Sequence, residues 1–221
     1  MKERTINIEG MSPREANIAI KKAALECGRI SIINPHSINF LAAGLTGDVE
    51  LSVEGDLGYY AGSMIHGVRM RVNGRCGWFP ADNMTSGEFI IAKEGGDGAG
   101  QGMYGGVLYV HGNTNSRTGQ IMKNGTIIVG GNAGFMTGLY MMGGRIIVLG
   151  NLGEGAGESI VGGRIFLHGD VKGLGKNAQV GGIEKAEVNE LESLFKKYGI
   201  KAKADSFKKI TPKKGRPFYG D

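Results

Sequence analysis

The chain has 221 residues, 41 of them glycine, with 41% apolar residues and 26 basic against 21 acidic side chains, a formal net charge of +5. The glycines show no period of three, which excludes a collagen-like rod, and the apolar share excludes wholesale disorder. No apolar run approaches the roughly 18 residues that cross a membrane, no charged-then-apolar leader opens the chain, and the two cysteines, Cys27 and Cys76, have neither metal-ligand spacing nor partners for a disulfide framework, so a cytoplasmic protein is expected.

Residues 1–49 read as an N-terminal cap. Arg4 to Glu9 alternate, with Ile6 and Ile8 on one face, and Gly10 ends the run. Ser12-Pro13-Arg14-Glu15 starts a helix, with a Ser N-cap, Pro at the first helical position and Glu placed to close a capping box. The helix carries Ile18, Ile20, Ala23, Ala24 and Leu25 and stops at Gly28; Arg29 to Asn34 form a strand ended by Pro35. This strand-helix-strand unit is expected to cover the first coil of the repeat region, because an open solenoid end exposes unpaired backbone. His36 to Val49 read as an irregular opening turn, out of step with the glycine columns.

Residues 50–182 repeat seven times with a step of 19 and no insertion or deletion. One glycine column runs Gly58, Gly77, Gly96, Asn115, Gly134, Gly153, Lys172; another runs Gly62, Ala81, Gly100, Gly119, Gly138, Gly157, Lys176; a third runs Gly67, Ser86, Gly105, Asn124, Gly143, Gly162, Gly181. Asparagine in place of glycine suggests left-handed corners, and alanine or lysine suggests corners that need only clearance. Each repeat holds a triplet such as Leu51-Ser52-Val53 or Ile127-Ile128-Val129, apolar at its first and third residues, and a column of Ile65, Met84, Met103, Met122, Met141 and Ile160 adds a second buried wall. Glycine-cornered short strands at this period give an all-β solenoid, a right-handed parallel β-helix of about seven coils, roughly 34 Å long at the strand spacing.

Residues 183–221 change pattern. Val188, Leu191, Leu194, Phe195 and Tyr198 line one face of a helix that stops at Gly199, expected to cover the far end of the prism. From Lys201 to Asp221 seven basic and two acidic residues, mixed with Pro212, Pro217, Phe218 and Tyr219, make a basic arm. The coils carry ten basic and ten acidic residues, so this arm accounts for the net charge.

Chemistry is sparse. The glycine-rich turns around Gly153 and Gly173 lack the helix that a dinucleotide fingerprint requires, and Gly95-Gly96-Asp97-Gly98 has no stacked aspartates for a calcium roll. His111 and His168 share a column three coils apart, roughly 14 Å, too far to share a metal. Glu154, Glu158 and Asp170 are the best candidate acids for an independent β-helix hydrolase or lyase, without any ladder of basic or aromatic residues to grip a polysaccharide. The basic arm lacks a nucleic-acid module, so no nucleic acid is expected as partner. No residue stands out as catalytic, cofactor-binding or metal-ligating.

The repeated Ile-x-Val-x-Gly-Asn-x-Gly-x-x-x-Gly-x-x-Met-x-Gly-Gly of Ile127 to Gly144 resembles the GXGXG domain of the glutamate synthase large subunit. The segments Gly58 to Gly62, Asp82 to Gly87, Arg117 to Lys123, and Asn34-Pro35-His36 with the turn after them are similar to its stand-alone form, a separate subunit of archaeal-type glutamate synthases and methylglutamate synthases. The resemblance runs from about Arg29 to Gly182. It implies a right-handed β-helix that carries no catalytic residue and no cofactor. Its implied role is a scaffold for a glutamine amidotransferase subunit and an FMN/iron-sulfur synthase subunit in the reductive amination of 2-oxoglutarate or in methylglutamate synthesis. Homo-oligomerisation is compatible with it. The family also includes a subunit of formylmethanofuran dehydrogenase, which is the alternative assignment.

Overall fold

A computed structural model of the chain describes residues 2–215. Strand β1 (Glu3–Asn7), helix α1 (Pro13–Ala24) and strand β2 (Arg29–Ile33) precede seven coil strands: β3 (Glu50–Glu54), β4 (Val68–Val72), β5 (Gly87–Ile91), β6 (Val107–Val110), β7 (Thr126–Val129), β8 (Arg145–Val148) and β9 (Arg164–Leu167). Strand β10 (Ala178–Gly182), helix α2 (Lys185–Tyr198) and strand β11 (Lys208–Pro212) complete the described chain. All strands join one sheet, ordered β1 to β9, then β11, then β10, and every pairing from β1 to β9 is parallel. Leu51, Met70, Phe89, Leu108, Ile127, Ile146 and Ile165 stand above one another at the predicted step of 19. A second line of contact, Leu57 to Cys76 to Gly95 and on to Val171, stacks the opposite wall. The molecule is the parallel β-solenoid that the period predicts, and both apolar columns are buried inside it.

The glycine columns divide differently from the sequence expectation. The column that includes Ala81 is the left-handed one: Gly62, Ala81, Gly100, Gly119, Gly138 and Gly157 all have φ between +60° and +76°. The columns interrupted by Asn115 and Asn124 are not left-handed at those asparagines; their glycines give clearance, since a Cβ on Gly134 would lie 2.8 Å from the Asn115 carbonyl carbon. Ala81 tolerates its corner because a methyl is the smallest side chain that feels the left-handed penalty.

His36 to Val49 form a further coil rather than an irregular turn. Phe40, Ala42 and Gly44 repeat the left-handed alternation of Tyr60, Gly62 and Met64 twenty residues later, one residue out of phase with the rest. The arc's step of 20, within a step of 21 from Ile30 to Leu51, hides the coil from a period of 19. Leu45 continues the buried Ile65 and Met84 column and is 2% exposed.

Helix α1 starts at the predicted capping box, with Ser12 and Glu15 satisfying each other's backbone and Pro13 in the first turn. It buries Ala16, Ile20 and Ala23 in the same core as Ile30 and Leu41. Asn17 ties it down: its amide nitrogen donates to the Phe40 carbonyl at 2.8 Å and its oxygen accepts from the Ala42 N–H at 2.7 Å. Asn17→Leu strands these two backbone groups and is expected to cost about 2 kcal/mol, lowering the melting temperature by roughly 4–8 °C. An unchanged thermal melt would show that the tie contributes nothing.

The C-terminal elements occupy places the sequence pattern did not assign. Helix α2 forms as predicted, with Gly199 as its left-handed cap at φ 67°, but it lies along the side of the prism rather than across its end. Leu191 and Phe195 pack with Ala204 and Phe207 onto Tyr109, Ile128, Ile147 and Phe166, which point outward from the sheet. Its Glu187 and Glu190 meet Arg164 and Arg145, and its Lys197 and Tyr198 meet Glu88, so it runs back over β9, β8 and onward to β5. Fourteen residues span ~21 Å, matching the ~19 Å of four strand steps. The sheet itself is continued at this end by β11, which lies antiparallel to β9 where an eighth coil strand would fall. Of the basic arm, Pro217, Phe218 and Tyr219 lie outside the described residues.

Two carboxylates clamp α2. Burial alone would raise both, but for Glu88 the Tyr198 hydroxyl and Lys197 ammonium outweigh it, and for Glu187 the Glu184 N–H, Lys209 and Arg164 do, leaving both below the ordinary carboxylate value. A depressed folded value means stabilisation present above the unfolded pKa of about 4.3 and lost as pH falls through the folded value. Between about pH 5 and pH 3, α2 amides are expected to lose protection from hydrogen exchange, corrected for intrinsic rate, while β6 to β8 keep theirs. Equal protection in both across that window would contradict the clamp.

Candidate docking surface

Every second residue of each corner is left-handed, as at Tyr60 (φ 58°), Gly62 (φ 64°) and Met64 (φ 56°). This curls the chain into an arc whose Ala61 and Ile65 point into the core, both 0% exposed, while Tyr59, Met64 and His66 project into solvent. Repetition at the coil spacing turns the projecting side chains into ladders. Tyr59 stacks on Trp78 at 4.8 Å between ring centroids, and Phe40, Tyr60 and Phe79 stack at 5.4 and 4.9 Å. Further along the same arc, Tyr104 lies under the Lys123 ammonium, and Phe135, Tyr140 and Met142 form a second exposed group.

Exposed aromatic and methionine side chains are confined to this arc among the described residues. Phe40, Tyr59, Met64, Trp78, Tyr104, Phe135, Tyr140 and Met142 fall on it with Leu174, and the one exposed large apolar side chain that residues 50–182 place elsewhere is Val180 on the terminal strand β10. An aromatic side chain carries roughly 150–250 Å². With six aromatics about half out of water, the arc presents several hundred Å² of apolar surface, comparable to the ~800 Å² that each partner contributes to a standard interface. Three of the segments that carry the family resemblance, Gly58 to Gly62, Asp82 to Gly87 and Arg117 to Lys123, lie here.

The other walls are occupied by structural work. In the turns just past the coil strands runs a polar ladder in which the Asp56 side chain accepts from the Arg75 N–H, Asn113 from Asn132, Asn132 from Asn151, and Asn151 from Asp170, at 2.7–2.8 Å. The candidate acids are spread over two walls, and two of them are bonded there. Asp170 sits on the ladder and pairs with Lys208. Glu158, on the arc, accepts from the Lys176 N–H at 2.8 Å and the Ser159 hydroxyl at 2.9 Å, and Glu154 is exposed. No cluster of three metal-ligating side chains exists among the described residues. His111 stacks on Tyr109, with its pKa lowered by burial and by Arg71, and His168 packs against Phe207. His66 bonds Thr85 and Ser86, and His36 faces Glu9. Cys27 and Cys76 are free and buried, and burial pushes the Cys76 thiol well above its ordinary value. No helix of the described residues is long and apolar enough to cross a membrane.

The side-on helix had a signal in the sequence that the triplets conceal. Their middle residues read Ser52 and Arg71, then Ile90, Tyr109, Ile128, Ile147 and Phe166. The outward face thus turns apolar where α2 covers it.

Comparison with known proteins agrees with this architecture. The model of the family described as "GXGXG motif" matches residues 5–213, beyond the Arg29 to Gly182 of the sequence resemblance. Protein GlxC of Rhizobium meliloti (strain 1021) is 37% identical over 60 residues, a stretch covering 27% of this chain and 26%, about a quarter, of GlxC. A chain of the formyltransferase/hydrolase complex (FhcABCD) from Methylorubrum extorquens, solved with methylofuran, has the same fold at a TM-score of 0.73. It is 22% identical, over 92% of this chain and 87% of that one. With the family model matching nearly the whole described chain, and the coils stacked as its repeats require, the chain belongs to the GXGXG motif family.

Proposed function

We propose that this chain is a non-catalytic scaffold subunit of a glutamate synthase-like complex in the cytoplasm. It holds a glutamine amidotransferase subunit and an FMN/iron-sulfur subunit together for glutamine-dependent amination of 2-oxoglutarate or for methylglutamate synthesis. FMN and iron-sulfur clusters belong to the partners in this reading, and this chain contributes docking surface. The observation that carries it is the confinement of exposed aromatic and methionine side chains to one arc of a rigid prism. Family membership and the resemblance to the stand-alone glutamate synthase subunit supply the kind of complex. A second reading, a subunit of formylmethanofuran dehydrogenase or of a related formyl-transferring complex, is favoured by the fold shared with a chain of FhcABCD.

Reconstitution tests the proposal. The chain alone is expected to turn over neither glutamine nor 2-oxoglutarate, and to raise glutamine-dependent amination when added to the two partner subunits. Turnover by the isolated chain that Glu158→Ala abolishes would replace the scaffold with an independent enzyme.

A further inference from the structure

The two edges of the sheet are built differently. At the β1 edge stand Glu3 and Arg4, the latter paired with Glu26 at 3.2 Å, and charges there repel a further strand. At the other edge, β10 reads Ala178-Gln179-Val180-Gly181-Gly182, with no charge, and its last four residues are exposed. The core stripe also runs off this end: Ile165 and Ile210 are 0% exposed, but Val180, paired next to Ile210, is 45% exposed.

The register shows which backbone groups are open. Ala178 lies opposite Pro212, and proline has no N–H, so that pair cannot exchange two hydrogen bonds. In an antiparallel ladder bonded and non-bonded pairs alternate. Gln179 and Gly181 therefore bond β11, and the N–H and C=O of Val180 and Gly182 point away from the sheet. Such a row is a template on which another strand can replace water, and β10 is complementary to itself. With Gly181 opposite its own counterpart, Val180 of one copy faces Gly182 of the other, and the two pairs exchange four hydrogen bonds. Nothing charged or bulky lies between them, and each Val180 covers the other copy's open core.

We propose that β10 is the seam of a two-fold dimer of this chain, joining two prisms end to end through one continuous sheet. The inference is independent of the proposed function. Sedimentation equilibrium of the full chain, purified alone, is expected to give twice the 23.4 kDa chain mass. Val180→Pro removes an outward N–H while keeping the bonds to β11, and Val180→Lys places a charge at the seam. Each is expected to weaken dimerisation by at least about tenfold, with an unchanged thermal melt by circular dichroism. A monomeric wild type, or a dimer that survives both substitutions, overturns the proposal. So does a chain ending at Gly215 that dimerises where the full chain does not, since the edge then belongs to the terminal segment.

Discussion

Gly125→Ala is expected to lower the melting temperature by roughly 10 °C, from a cost of about 3–5 kcal/mol. Two penalties meet at this residue. Its φ of +99° lies where a side chain is strained, and an added Cβ would sit 2.9 Å from the Gly106 carbonyl oxygen and 3.0 Å from the Gly105 carbonyl carbon. Both contacts are backbone of the preceding coil, held by hydrogen bonds at both ends, so neither yields as a side chain would. Relief requires opening the coil spacing, and the loss would propagate to the neighbouring coils, since each repeat is stabilised through its neighbours. Ala81→Gly is the control. It releases about 1–2 kcal/mol of left-handed strain and forfeits a comparable amount in methyl burial and chain entropy. Its melt should stay within a few degrees of wild type.

Trp78→Ala is expected to weaken binding to the partner subunit by about thirtyfold, from about 2 kcal/mol, while leaving the melting temperature almost unchanged. Tryptophan is enriched among residues that dominate interfaces, and Trp78 stands 48% exposed at the end of a stacked pair, held by Tyr59 at 4.8 Å. The ladder fixes its rotamer before binding, so little side-chain entropy is lost on docking. A substitution on the opposite wall, such as Lys93→Ala, should leave binding as it is. Titration calorimetry or interferometry with the isolated partner separates the two cases. Equal losses at both positions would mean that the arc is not the contact.

The sequence revealed the coil because stacking imposes one step on every buried residue. Leu51, Met70 and Phe89 must coincide in register, and the period therefore appears without any knowledge of contacts. The extra coil of Phe40 to Leu45 escaped because its steps of 20 and 21 residues shift it against that period while the backbone absorbs the difference. Asparagines 115 and 124 misled because asparagine suits both a left-handed corner and a tight clearance, and composition does not separate the two. The position of α2 was written in the middle residues Ile90 to Phe166, but one-face burial is the usual state of a strand in a solenoid, and the apolar outer face has meaning only with a partner element. The docking arc was legible only in part: Tyr59, Trp78 and Phe135 occupy one column 19 residues apart or a multiple of it, yet which columns point outward follows from the left-handed alternation at 60, 62 and 64.

The scaffold role stands or falls on what accompanies the chain when it is purified from its native cells under mild conditions, read by mass spectrometry and visible absorbance. A yellow-brown complex containing a glutamine amidotransferase and a flavin and iron-sulfur protein is expected. A colourless chain that elutes without a different partner would contradict that role.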